Sequence, residues 1–249
     1  MKNYIFLQAR INSTRLPHKI LKQICGKTIL ELLVERLYNI NDITKILLVT
    51  GSQEKNIELI NKAKKLKLDF FCGNENNILD RFHSATQKFK LDNIIRVTGD
   101  CPLIDFNVIN NGLEIFKQNN YDILSIDRVR TFPHGFDFEI FTKEALIRSW
   151  NNVLQKFNNK KDFDNTFISP AENMLFSNEF KNYDLINEID FSYMRLTLDY
   201  AEDFELIKQI YESLYYNNNK FALKEITQLI NEKPELLEIN RKYIHVNKT

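Results

Sequence analysis

Tyr4-Ile5-Phe6-Leu7-Gln8-Ala9, running on into Arg10-Ile11-Asn12-Ser13-Thr14-Arg15-Leu16-Pro17-His18-Lys19, is the stretch whose reading decides the fold. The first six residues form a near-continuous apolar run of strand length, the pattern of a strand buried on both faces of a sheet. It stops at a polar loop, which leads through Pro17 and Gly26 to an amphipathic segment with helical periodicity, Thr28 to Tyr38. Strand, polar loop and helix open a βαβ unit, and the theme repeats. Lys45 to Thr50, Asp69 to Cys72, Asn93 to Thr98 and Tyr121 to Ser125 read as strands. Glu54 to Leu66, Ile78 to Phe89 and Val108 to Asn119 read as the helices between them. This alternation predicts an α/β fold with a parallel sheet covered by helices on both faces.

After Phe132 the rhythm loosens. Asp137 to Phe141 alternates as a strand, Lys143 to Val153 is helical, and Asn158 to Asp164 is a mostly polar, mobile loop. Met194 to Leu198 reads as a strand, with helices near Glu202 to Leu214 and Leu223 to Asn231. The mildly basic tail, Arg241 to Thr249, either crosses to a partner subunit or frays.

With 43% hydrophobic residues over 249 positions, the chain can bury one large core. Aromatic content of 12% argues against disorder. The 34 basic and 33 acidic residues nearly cancel, so no global field attracts nucleic acid or an anionic membrane, and neither is expected as a partner. Three cysteines without CxxC spacing disfavour a disulfide framework and a structural zinc site. No apolar run approaches the ~18 residues of a membrane helix, and the plain expectation is a cytoplasmic protein.

Glycine occurs only 6 times, so its positions inform. Gly99 and Gly135, with Pro17, Pro102 and Pro133, mark three polar loops beside strands, where open parallel sheets bind ligands. The first loop carries Arg10, Ser13, Thr14, Arg15 and Lys19. Three cations and two hydroxyls suit phosphate groups, since Arg offers a planar fork and Lys a point charge. The loop lacks the GxxxxGK[ST] spacing of P-loop enzymes. Its ordinary alternative is a solvated basic loop. The second, Arg96-Val97-Thr98-Gly99-Asp100-Cys101-Pro102-Leu103-Ile104-Asp105, delivers Asp100 at a strand end. A carboxylate there suits Mg²⁺ that also binds phosphates; alternatively Asp100 or Asp105 caps the next helix, a role that fits Asp105. In Met194-Arg195-Leu196-Thr197-Leu198-Asp199-Tyr200-Ala201-Glu202-Asp203, Asp199 is either a second metal carboxylate or a helix cap. Asp203 and Glu202 interact with the helix N-terminus. In Arg130-Thr131-Phe132-Pro133-His134-Gly135-Phe136-Asp137-Phe138-Glu139, Asp137 and Glu139 share one strand face, suited to substrate hydroxyls or to an ordinary half-buried strand. His18, His83, His134 and His245 show no metal-ligand spacing.

These segments, in this order, resemble the SpsF-like cytidylyltransferases, relatives of the enzymes that make CMP-sialic acid and CMP-Kdo. The resemblance rests on QAR-x-x-STRLP-x-K, RVTGDCPLID, RTFP-x-GFDFEIF and LTLDYAEDFELI, and covers about residues 3 to 240. Gly73-Asn74-Glu75-Asn76-Asn77-Ile78-Leu79-Asp80-Arg81-Phe82 is similar to a G-x-x-x-x-VLDR stretch that in the family lies near the nucleoside. Departures are Asn12 and His18, where glycine is usual, Ala201, where proline is usual, and Asp164-Asn165-Thr166-Phe167-Ile168-Ser169-Pro170 in place of a His-containing REHVTP-like segment.

The resemblance implies a GT-A-like nucleotide-sugar transferase fold: one Rossmann-type, three-layer α/β domain over residues 1–249, with a mostly parallel sheet, often dimeric. Residues 1–130 would form the nucleotide-binding half. Residues 131–249 would supply acceptor binding, the second metal ligand and dimer contacts. It further implies CTP binding by Gln8, Ala9, Arg10, Ser13, Thr14, Arg15, Lys19, Asp80, Arg81, Thr98 and Gly99. Mg²⁺ would be held by Asp100 and Asp199, and a sugar, acidic sugar or sugar phosphate by the region of His134, Gly135, Asp137 and Glu139. Catalysis would fall to Arg10, Arg15, Lys19 and Asp100, with attack on the α-phosphorus of CTP and release of pyrophosphate for surface-glycan synthesis. If Asn12 requires a positive φ, asparagine tolerates it, and His18 would reach the phosphates. Two other readings share the fold: a glycosyltransferase using a nucleotide sugar, for which a DxD site is wanting, and a non-catalytic nucleotide-binding protein.

Overall fold

The strand on which the rest assembles is β1 (Asn3–Gln8). The computed structural model describes residues 1–244; the expectation for the end of the tail, and His245, lies outside the described residues. Successive β1 side chains alternate between two cores: Ile5 and Leu7 enter one, Tyr4 and Phe6 the other. A near-continuous apolar run is what such two-sided burial demands. β1 pairs in parallel with β4 (Ile43–Thr50) on one side and β6 (Asn93–Thr98) on the other. β5 (Asp69–Cys72) extends the sheet beyond β4, again in parallel.

The later strands join on the β6 side. β8 (Phe138–Thr142) runs antiparallel between β6 and β7 (Ile123–Ser125), and β9 (Asn182–Asp184) adds to β7 in parallel. Among the described residues this gives one seven-stranded sheet, ordered β5-β4-β1-β6-β8-β7-β9. A separate hairpin, β2 (Gln23–Ile24) with β3 (Lys27–Thr28), follows the first loop.

Helices cover both faces. The Ile5/Leu7 side receives α1 (Ile29–Leu37), α2 (Ile57–Lys65), α4 (Phe106–Gln118), α8 (Ala201–Leu214) and α9 (Leu223–Glu232). The Tyr4/Phe6 side receives α3 (Ile78–Lys88), α5 (Lys143–Leu154), α6 (Lys160–Asn165) and α7 (Glu172–Phe176). Their starts obey capping chemistry. The Thr28 hydroxyl accepts from the Glu31 amide while Glu31 accepts from the Thr28 amide, and Asp105 caps α4 as its position suggested.

Two expected elements are corrected. Asn158 to Asp164 is not a loop: Asn159 accepts from the Asp162 amide at 2.9 Å and starts α6. Met194 to Leu198 is not a strand, although its alternating apolar residues are buried. Its backbone groups pair with two different loops instead of one neighbouring strand. The Leu196 amide donates to the His134 carbonyl at 2.7 Å and the Leu198 amide to the Asp100 carbonyl at 2.8 Å. The β2–β3 hairpin, α7 and β9 were not foreseen.

The chain lays β4 and β5 on one side of β1 and then returns to place β6 on the other. The crevice outside the carboxyl ends of β1 and β6 is therefore the topological switch point of the sheet. No helix among the described residues is long and apolar enough to cross a membrane.

Candidate active site

At that switch point the chain leaves β1 as a loop pinned from below. The buried Asn56 side chain accepts from the Ile11 amide at 3.0 Å. Ile11 and Leu16 point into the core, so the polar residues between them face outward. The turn closes through His18, whose amide donates to the Ile11 carbonyl at 3.3 Å. His18 has φ 55°, the left-handed region that favours glycine, whereas Asn12 is not among the residues with positive φ. The strained position is thus the second glycine-like departure, not the first. The His18 imidazole lies 3.5 Å from Glu58 and lines no part of the cleft described below, so the expectation that it reaches phosphates is not supported.

After His18 a short 3₁₀ turn, Lys19–Leu21, aims Lys19 back across the sheet ends. Its ammonium donates to the Leu198 carbonyl at 2.7 Å and to Asp199 at 2.9 Å, and lies 3.5 Å from Asp100. Arg15 reaches the other Asp199 oxygen at 2.7 Å. Burial pushes the Asp199 carboxyl up, but Lys19 and Arg15 more than offset it and hold it below the usual carboxylate range. Reciprocally, the bond to Asp199 raises Arg15.

Asp100 arrives from β6. Its carboxylate accepts from the Thr98 hydroxyl, and its carbonyl accepts from Thr197 and Leu198. Gly99 lets the two strand ends touch. Its amide donates to the Gln8 carbonyl at 2.8 Å, and a Cβ there would fall 2.9 Å from that of Ala9. Asp199 is positioned by its neighbours and does not cap α8. Asp203 accepts from the Asp199 and Tyr200 amides at 2.9 and 3.0 Å and so performs the capping. Arg195, fully buried, grips both oxygens of Asp203 at 3.0 Å, and Asn240 adds a bond at 2.8 Å. Two carboxylates from distant segments therefore face one point that already attracts a cation, here the Lys19 ammonium. That donor set fits a divalent ion shared with phosphate oxygens.

A cleft of about 330 Å³ opens above these groups. It gathers Gln8, Ala9, Arg10, Ser13, Thr14, Arg15 and Lys19 from the first loop, Thr98, Gly99 and Asp100 from the second, Asp199, and Arg81. Glu75, Ile78, Phe167 and Ile20 also line it and were not singled out by sequence reasoning. Glu75 lay inside the stretch quoted for its likeness to G-x-x-x-x-VLDR. Phe167 lay in the segment that departs from the family pattern.

Asp80 and Arg81 part company. Neighbours on a helix point about 100° apart. Arg81 faces the cleft and donates to the carbonyls of Asn74 and Glu75 at 2.8 and 3.0 Å. Burial lowers its guanidinium to about 10, against the pull of Glu75, and it stays charged at neutral pH. Asp80 faces away, accepting from the Trp150 indole at 3.0 Å and from Lys160 at 2.8 Å. It holds α5 and α6 against α3 and lies outside the cleft.

The region expected to bind an acceptor is likewise outside it. His134 is held by backbone bonds to Met194 and Leu196. Gly135 has φ 101°, and a Cβ there would lie 2.4 Å from the Leu196 carbonyl group, so only glycine fits. Asp137 pairs with Arg130 at 2.5 Å and accepts from the Gly135 amide at 2.9 Å. Arg130 also pairs with Asp127 at 2.5 Å. Burial, then the nearby Asp137 charge, pushes Asp127 well up; Asp137 is buried too, but Arg130 brings it below its usual value. Glu139 is buried against Arg96 at 2.5 Å, and Arg96 donates to Gln8 at 2.9 Å. Glu139 thus stiffens the floor beneath the first loop.

A triphosphate-sized cleft with a cationic loop, two convergent carboxylates and a topological switch point matches one known group. The model of the cytidylyltransferase family matches residues 4–235. The chain belongs to the cytidylyltransferase family. It is a nucleotidyltransferase by class, as the resemblance implied. The spore coat polysaccharide biosynthesis protein SpsF of Bacillus subtilis is 27% identical over 241 residues, 94% of this chain and 97% of that one. A cytidylyltransferase from Leptospira borgpetersenii superposes with a TM-score of 0.83 at 30% identity, covering 95% of this chain and 97% of the other. The synthetase for CMP-2-keto-3-deoxy-manno-octonic acid, solved with CTP, superposes with a TM-score of 0.59 at 14% identity, covering 86% and 99%. At that identity it shares the fold alone.

Proposed function

We propose that this chain transfers the cytidylyl group of CTP to an oxygen of a sugar-type acceptor and releases pyrophosphate, with Mg²⁺ held by Asp100 and Asp199. The observation that carries the reading is the meeting of Lys19, Arg15, Asp100 and Asp199 at the end of the cleft lined by Arg10, Ser13 and Thr14. An oxygen of the acceptor forms a bond to the α-phosphorus, and the bond from that phosphorus to the bridging oxygen breaks. A hydroxyl acceptor loses its proton to solvent. Arg10, Arg15 and Lys19 are placed to neutralise the charge that builds on the departing pyrophosphate, which is the main demand of phosphoryl-type transfer. Bound Mg²⁺ would supply Lewis-acid stabilisation of the phosphate oxygens and lower the acceptor's pKa. Its arrival would free Lys19 for the phosphates.

Acceptors are tested by supplying CTP, Mg²⁺ and a panel of neutral sugars, acidic sugars and sugar phosphates, with pyrophosphate as the readout. Asp100→Asn is expected to lower kcat by about 10²–10³ with the fold intact. Unchanged turnover in that variant would remove Asp100 from the reaction.

A further inference from the structure

We propose that Glu75 selects cytosine over uracil, an inference that rests on the cleft being a CTP site. The cleft is chemically two-ended. Its phosphate end holds Arg15, Lys19, Asp100 and Asp199. Its other end is built by the segment joining β5 to α3, which contributes Glu75, Ile78 and Arg81, with Phe167 facing them. A nucleotide whose phosphates lie among the cations places its base at this second end, where Ile78 and Phe167 offer apolar surface to the ring.

Glu75 is held before any ligand arrives. One carboxylate oxygen accepts from the Ser52 amide at 2.8 Å. A Cβ on Gly51 would lie 1.9 Å from that oxygen, so the carboxylate occupies space that exists because residue 51 has no side chain. Arg81 fixes the backbone beneath through the Asn74 and Glu75 carbonyls, and Asn74 accepts from the Asn76 and Asn77 amides at 3.0 Å. The group is a preorganised acceptor, not a mobile surface acid.

An ionised carboxylate can only accept. The edge of cytosine offers an exocyclic amine, whereas a uracil-type base carries a carbonyl at the same position. Glu75 therefore bonds the first and faces the second oxygen to oxygen, leaving both groups unsatisfied. A site with a committed polar partner rejects such an analogue far more strongly than a shape-only pocket does. Glutamine, with both an acceptor and a donor on its amide, would lose this discrimination.

The test is equilibrium binding of CTP and of UTP to the full chain with Mg²⁺, for the wild type, E75Q, E75A and G51A. The wild type is expected to prefer CTP by about tenfold or more, E75Q to narrow the ratio to within about threefold, and E75A to weaken CTP with little effect on UTP. G51A, which displaces the carboxylate without removing it, is expected to narrow the ratio as well. It serves as the second variant should residue 75 prove necessary for folding. If Glu75 only supports the loop, its variants weaken both nucleotides equally and the ratio stands, which overturns the proposal. CTP selectivity surviving in all three variants overturns the role of Glu75 alone. A wild type that binds neither nucleotide overturns the CTP reading with it.

Discussion

At the scale of single residues, Lys19 shows what the fold achieves. Its ammonium touches Asp100, 81 positions away, and Asp199, 180 positions away. The pairing has a pH signature. The folded-state carboxyl of Asp199 is depressed, so its contribution is present above the unfolded value near ~3.9 and is lost as pH falls through the folded value. The stability difference between the wild type and Asp199→Asn, from urea melts, is expected to be full at neutral pH and to shrink below about pH 4. Gly135 makes the complementary point about backbone. Gly135→Ala combines a left-handed φ with a 2.4 Å clash against Leu196 and is expected to cost about 2–4 kcal/mol in urea unfolding.

At the scale of elements, the start of α8 matters most. The sequence shows an acidic helix start after an apolar stretch, and both Asp199 and Asp203 are candidates for its cap. The structure divides the work between them. Asp203 satisfies the amides of residues 199 and 200 and is locked by Arg195 and Asn240, which leaves Asp199 to face the cleft. Asp203→Ala would leave Arg195 buried without its carboxylate. It is expected to cost about 3–5 kcal/mol, read from chemical denaturation. Activity should fall as well, since the loop carrying Asp199 loses its anchor. The α6 helix is the opposite case, since a polar composition suggested a loop. Asn159 at its cap, and Lys160 reaching Asp80, supplied helix signals too short to stand out from sequence alone.

At the scale of the whole molecule, the sheet joins the two parts of the chain. β8, from beyond residue 130, inserts between β6 and β7, and Glu139 neutralises Arg96 under the first loop. A chain ending at residue 130 would expose one edge of β6 and strand Arg96 without its partner. It is expected to give no cooperative thermal transition by circular dichroism, whereas the full chain should give one.

The sequence by itself determined the layers, the parallel β1–β4–β5 and β1–β6 pairings, the cationic first loop and the two strand-end or loop aspartates. Each of these follows from local composition and periodicity, which the chain states directly. Only the tertiary structure decided which polar residues meet. It turned Arg81 inward and Asp80 outward, buried Glu139 as a support, put the left-handed residue at His18, and brought Glu75 and Phe167 to the cleft. Those outcomes depend on helix phase and on pairings between segments far apart in the chain, and neither is written in any one segment's pattern.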